Sequence, residues 1–186
     1  MASAKTSGTT IRAWLHAHVT QDPRALAWFE HAGAEERIAR GYRQLLGGYA
    51  EDPAKILKTT RKVDGVHYGH VTVRDINYYS TCAHHFLPFF GQVAISYVPG
   101  DRIIGLGKLP RLVQIYAQRF QIQEDLVKEI AEAMTEHGGA RGVLVTASGR
   151  HMCICSRGPA NQTAITDTSY SLGSLQGIAR HEDVRV

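Results

Sequence analysis

The chain has 186 residues, 44% hydrophobic and 20% charged, which is long enough for one domain with a full core and too short for two of ordinary size. No apolar run approaches the length of a membrane span, so no membrane crossing is expected. The formal charge is +4, but Lys and Arg are scattered among acids rather than gathered in a tract. That distribution argues against nucleic acid as a partner and suits a small anion, such as a phosphorylated nucleotide, held by a few convergent arginines. Three cysteines, two of them separated by one residue, make no disulfide framework and fit a reducing cytoplasm.

Met1 to Thr10 lacks the apolar core of a secretory signal and reads as a frayed tail. Ile11, Trp14, Leu15 and Val19 then recur at helical spacing, and Asp22-Pro23 supplies an N-cap followed by proline at the first helical position. Glu35 to Leu46 places Ile38, Tyr42, Leu45 and Leu46 on one side and ends at Gly47-Gly48, before another such start at Asp52-Pro53. From Val66 and His67 the rhythm becomes that of a strand, through Val71, Val73 and Ile76 to Tyr78-Tyr79. Val93, Ile95 and Tyr97 alternate up to a turn at Pro99-Gly100-Asp101, which predicts a hairpin. Leu109 to Gln118 and Glu124 to Met134 are helical, the second with Leu126, Val127, Ile130, Ala131 and Met134 on one stripe. Val143, Val145 and Ala147 predict a strand, Ser148-Gly149 a turn, and the residues from His151 onward a second strand of another hairpin. Strand pair, helix pair, strand pair predicts an α+β fold whose antiparallel sheet is covered on one face by two helices.

The chemistry concentrates in two clusters. Tyr79-Ser-Thr-Cys-Ala-His-His-Phe-Leu-Pro-Phe-Phe-Gly91 packs Cys82, His84 and His85 into four positions, and Cys82-x-x-His85 is a chelating spacing. A third ligand is expected from Arg150-His-Met-Cys-Ile-Cys-Ser-Arg157. If that stretch is extended, His151, Cys153, Cys155 and Arg157 share one face, and either cysteine completes a Cys/His/Cys set. Three protein ligands leave the fourth position of a zinc tetrahedron open for water, the arrangement of a catalytic site.

These residues resemble the signature blocks of the GTP cyclohydrolase I family. The blocks are Thr81-Cys-Ala-His-His-Phe-Leu-Pro-Phe-Phe-Gly91, Ile104-Gly-Leu-Gly-Lys-Leu-Pro-Arg-Leu-Val113, Gln121-Ile-Gln-Glu124 and His151-Met-Cys-Ile-Cys-Ser-Arg-Gly158. Weaker similarity runs through Glu36 to Tyr42, Asp52-Pro53, Thr168-Ser169 and Gly173, so the resemblance covers about Ala34 onward. It divides the chain into a tail with short helices over 1–33 and a catalytic domain over 34–186. The resemblance implies the tunnelling fold, in which subunits close a large β-barrel, and a homo-oligomer, commonly a decamer of two pentamers. It implies Zn2+ held by Cys82, His85 and Cys153, with Cys155 outside the site, and His84 and His151 as catalytic histidines. Glu124 would hold the guanine edge with Gln123 beside it, and Lys108, Arg111, Arg157 and Arg37 would hold the triphosphate.

The implied reaction is hydrolysis of GTP at C8 of guanine, with loss of formate and eventual closure of a pterin ring to dihydroneopterin triphosphate. Two positions depart from the family pattern: Ala83 stands where the family has an acid, and Gly107 where it has a serine. Two other outcomes are therefore carried alongside the full reaction. One is a paralogue that stops at a ring-opened pyrimidine nucleotide or takes another purine. The other is a non-catalytic nucleotide-binding or regulatory subunit, against which the retained His84 and His151 argue. A zinc nucleobase deaminase is disfavoured, because its His-x-Glu and Pro-Cys-x-x-Cys elements are missing.

Overall fold

A computed structural model describes residues 10–58, 60–63 and 69–184. Of the tail expected over Met1 to Thr10 only Thr10 is described, and the strand start expected at Val66 and His67 lies outside the described residues. The chain divides into two compact units, Met1–Gln44 and Leu45–Val186. In the first, α1 (Ile11–His18) is capped by the Thr10 hydroxyl, which accepts from the Ala13 N–H at 3.1 Å. The Asp22-Pro23 start opens the short α2 (Pro23–Leu26), with the Asp22 carboxylate accepting from the Arg24 N–H at 2.8 Å. The third helix, α3 (Ala34–Leu45), carries Glu35 and Glu36 in its first turn, where the helix dipole favours acids.

In the second unit, α4 (Pro53–Leu57) again starts on an Asp-Pro pair, and a small ribbon joins β1 (Thr60–Lys62) to β4 (Arg102–Ile104). The main sheet contains β2 (Val71–Cys82), β3 (Pro88–Val98), β5 (Phe120–Gln121), β6 (Gly142–His151) and β7 (Thr166–Gly173), in the order β5-β2-β3-β6-β7. Its pairings are antiparallel except for the short β2–β5 contact. The helices α5 (Lys108–Ala117) and α6 (Gln123–Glu136) follow one another between the two strand pairs. This is the α+β order of strand pair, helix pair and strand pair that the sequence predicts. Phe89, Val93, Ile95 and Tyr97 of β3 and Val143 and Val145 of β6 are buried against Leu109, Leu112 and Val113 of α5 and Leu126, Ile130 and Met134 of α6. Transferring that apolar surface out of water is the main stabilising term.

Strand β2 keeps its register with this core only through a bulge. Val71 and Val73 pair with Tyr97 and Ile95, then Ile76 pairs with Val93, so β2 carries one residue more than β3 between the two pairings. Asp75 absorbs it with φ 58°, a left-handed conformation that Asp tolerates better than most residues. The bulge changes the parity of the strand, so that Ile76, Tyr78, Ser80 and Cys82 face the helices together with Val71 and Val73.

Two local expectations are corrected. Ser148-Gly149 is not a turn: β6 runs straight through it, and its hairpin partner is β7, with Ser148 opposite Asp167 and Gly149 opposite Thr166. The glycine marks close approach instead, since a Cβ on Gly149 would meet the Tyr78 hydroxyl and lie 2.6 Å from Gln123 Oε1. Residues beyond His151 are not a strand either. Met152–Cys155 form a single helical turn, α7, closed by the Ser156 N–H and hydroxyl donating to the Met152 carbonyl. Cys153 and Cys155 therefore do not share a strand face.

On the opposite face of the sheet, Val98 and Leu144 are covered by Leu175, Ile178 and Val184 of the C-terminal segment. His181 fastens this segment: its Nδ1 lies 2.7 Å from Ser96 Oγ and its Nε2 2.8 Å from Thr146 Oγ1. Burial, with Arg74 and His70 nearby and only Glu182 opposing, holds the His181 pKa below the ordinary histidine value. The folded state then binds fewer protons here than the unfolded chain, so its stability is full above about pH 6.5 and is lost as pH falls through the depressed value. Thermal unfolding followed from pH 7.5 to 5 should show a fall in Tm that is shallower in His181→Gln; equal slopes in the two proteins would contradict this.

Candidate metal centre and active site

The first cluster sits on the turn between β2 and β3. The Cys82 N–H donates to the Leu87 carbonyl at 2.8 Å and the Phe86 N–H donates back to the Cys82 carbonyl at 2.9 Å, closing the loop. The Ala83 N–H donates to the Gln121 carbonyl at 3.1 Å, tying the turn to β5. Phe86 takes φ 60°, and its ring lies 5.0 Å from that of Phe120. Cys82 is buried at the end of its strand, while Ala83, His84 and His85 are exposed on the turn. The His84 and His85 rings stand 6.2 Å apart, edge to face.

The helical turn α7 brings the second cluster to the first. Ligand atoms of Cys82, His85 and Cys153 all lie within 4.8 Å of one another, with Cys82 Sγ 3.8 Å from His85 Nδ1. Cys155 is buried and lies outside this group. All three cysteines are free thiols. Burial and the neighbouring Cys82 push the Cys153 thiol pKa up, while Arg157 pulls it the other way. Two thiols facing an imidazole form a donor set suited to a borderline-soft cation that displaces their protons, and the set could hold one metal ion.

His151 ends β6 beside this group. Its ring stacks on Phe89 at 4.6 Å with an interplanar angle of 6°, and its Nε2 lies 3.0 Å from Gln123 Oε1. Burial holds its pKa below the ordinary histidine value, and the exposed Glu124 carboxylate pulls it back. Gln123 and Glu124 open α6 in different surroundings: Gln123 is 1% exposed and Glu124 is exposed. Arg157 is exposed just past α7. Lys108 and Arg111 lie on the first turn of α5, half-buried and exposed respectively, behind Gly107 at the N-cap. Arg37 lies exposed on α3, in the other unit.

Sequence reasoning missed Tyr78. Its hydroxyl donates to Gln123 Oε1 at 3.0 Å, and burial pushes its pKa far above the ordinary value. The signal available was parity, since Tyr78 and Cys82 stand an even number of residues apart on one strand and so share a face.

A family model described as GTP cyclohydrolase I matches residues 15–184, beginning within α1 and so upstream of the motif resemblance. GTP cyclohydrolase 1 of Campylobacter lari is 45% identical over 75% of this chain and 73% of its own length. GTP cyclohydrolase 1 of Bifidobacterium longum is 43% identical over 77% and 72%. Among solved structures, an archaeosine synthase QueF-Like in the apo form aligns with a TM-score of 0.47 at 14% identity, over 59% of this chain and 98% of that one. With most of its length matched by the family model and by such relatives, the chain belongs to the GTP cyclohydrolase I family.

Proposed function

We propose that the chain hydrolyses the guanine ring of GTP at C8, releases formate and proceeds toward dihydroneopterin triphosphate, with Zn2+ held by Cys82, His85 and Cys153. One observation carries the reading: two sulfurs and an imidazole converge within 4.8 Å in a chain of the GTP cyclohydrolase I family. When bound, zinc would supply Lewis-acid activation of a water molecule near neutral pH. His84, exposed beside the cluster, and His151, half-buried against Phe89, are imidazoles able to pass protons to purine nitrogens as the ring opens. Glu124 is an exposed carboxylate able to accept from guanine N1–H and the 2-amino group together. Lys108, Arg111 and Arg157, all in the second unit, would hold the triphosphate. The homo-oligomer, a decamer of two pentamers, is proposed on family membership. Three free thiols suit a reducing, cytoplasmic setting, and among the described residues no helix is long and apolar enough to cross a membrane.

The ligand assignment predicts that Cys82→Ser, His85→Ala and Cys153→Ser each lose bound zinc and formate release, whereas Cys155→Ser keeps both. Metal content measured on the purified variants decides it. An emptied site in Cys155→Ser with a filled one in Cys153→Ser would overturn the assignment.

A reaction that stops early is the second reading, favoured by the surroundings of Gly107. A Cβ added there would meet nothing within 4 Å, so the site has room for the serine that the family carries. Gly107 has φ −66° and ψ −8°, which serine adopts without strain. A positioned proton donor contributes roughly 10²–10⁴ in rate, enough to make one late step limiting. On this second reading, wild-type protein given GTP accumulates a ring-opened pyrimidine nucleotide by mass spectrometry, and Gly107→Ser shifts product toward the fluorescent pterin. Wild-type protein that makes the pterin at a rate Gly107→Ser does not improve would refute the early stop and leave the complete reaction.

A further inference from the structure

The Gln123 side chain lies among β2, β6 and β7 rather than in the open site. Its Nε2 donates to the Thr166 carbonyl at 2.8 Å and the Ala147 carbonyl at 3.1 Å, with Thr168 Oγ1 at 3.2 Å. Carbonyl oxygens only accept, so the amide nitrogen must be the atom turned toward them. The other end of the amide is then an oxygen with two lone pairs, and two groups meet it at 3.0 Å: the Tyr78 hydroxyl and His151 Nε2. An oxygen that can only accept requires a proton on each. Among the described residues His151 Nδ1 has no hydrogen-bond partner, and stacking on Phe89 fixes the plane of the ring. Gly149 completes the arrangement, because any Cβ there would collide with the Tyr78 hydroxyl and crowd Gln123 Oε1.

We propose that Gln123 is a positioning residue, not a purine contact. Its carboxamide, set by the Ala147 and Thr166 carbonyls and shared with Tyr78, holds His151 as the Nε2–H tautomer with the Nδ1 lone pair free. Gly149 is required because only a residue without Cβ leaves room for that shared oxygen. The sequence expectation that Gln123 joins Glu124 on the guanine edge is replaced: neighbours on a helix start point in different directions, and only the exposed Glu124 faces outward. The tautomer stands on these contacts alone; its use in turnover rests on the proposed function.

The test is two-bond proton–nitrogen correlation NMR on the full-length, histidine-15N-labelled protein at neutral pH, metal-free and zinc-loaded, with His151 identified by the signal lost in His151→Asn. The wild type should show a protonated Nε2 and an unprotonated Nδ1. Gln123→Met should give an averaged pair of shifts and lower kcat for GTP by about tenfold or more with KM little changed. Glu124→Gln should raise KM and leave the tautomer as in the wild type. If Gln123→Met does not fold, Gly149→Ala probes the same oxygen from the strand side and should average the shifts in the same way. A protonated Nδ1 in the wild type would overturn the proposal, as would an unaltered tautomer in whichever of these two variants folds. A locked tautomer in a protein that leaves GTP unchanged would support it and count against the proposed function instead.

Discussion

The extra residue in β2 decides whether the ligand atoms of Cys82, His85 and Cys153 can meet at all. Side chains alternate across a sheet, so a strand one residue out of phase turns every subsequent side chain to the other face. Asp75 takes up that residue, and beyond it Ile76, Tyr78, Ser80 and Cys82 point toward the helices. Without the bulge the hydrophobic phase set by Val71 and Val73 would send Cys82 to the opposite face, away from Cys153. The β3–β6 register adds the second coordinate by placing His151 opposite Phe89, next to the Thr81–Pro88 pair at the base of the Cys82 turn. Ligands far apart in sequence thus meet because two strand registers agree at one end of the sheet.

That end of the sheet also sorts polar groups by exposure. Gln123 spends its hydrogen-bonding capacity within the protein, where an unpaired amide would carry a desolvation penalty of about 1–3 kcal/mol. Glu124, one residue on, keeps its carboxylate in water and acts on His151 through space. The turn that carries His84 and His85 is held by backbone bonds to Leu87 and Gln121, so the two imidazoles are presented from a constrained loop. Rigid backbone beneath exposed imidazoles gives reactive groups a defined position while leaving them open to a ligand.

Much of this was legible in the sequence. Asp-Pro pairs marked the starts of α2 and α4 because proline at the first helical position costs no hydrogen bond, and the stripe from Leu126 to Met134 faces the core as its period predicted. The crowding of Cys82, His84 and His85 pointed to a metal without a structure. What was not legible depends on contacts between distant segments. Ser148-Gly149 reads as a turn locally, but the glycine is there because Tyr78 and Gln123 approach from other elements. The stretch from Met152 to Cys155 alternates like a strand, yet it curls into one helical turn that separates Cys153 from Cys155. The bulge at Asp75 carries no glycine to announce it, and only pairing with β3 reveals the extra residue.

If Cys82, His85 and Cys153 together place a metal where C8 of guanine is attacked, formate release from GTP depends on that metal. The most direct measurement of that dependence follows carbon-13 placed at C8 of GTP, using protein stripped of metal and the same protein after zinc is restored. The zinc-restored protein should release labelled formate and the stripped protein none. Label that stays in the purine when the site is filled, or that is released equally when it is empty, would contradict it.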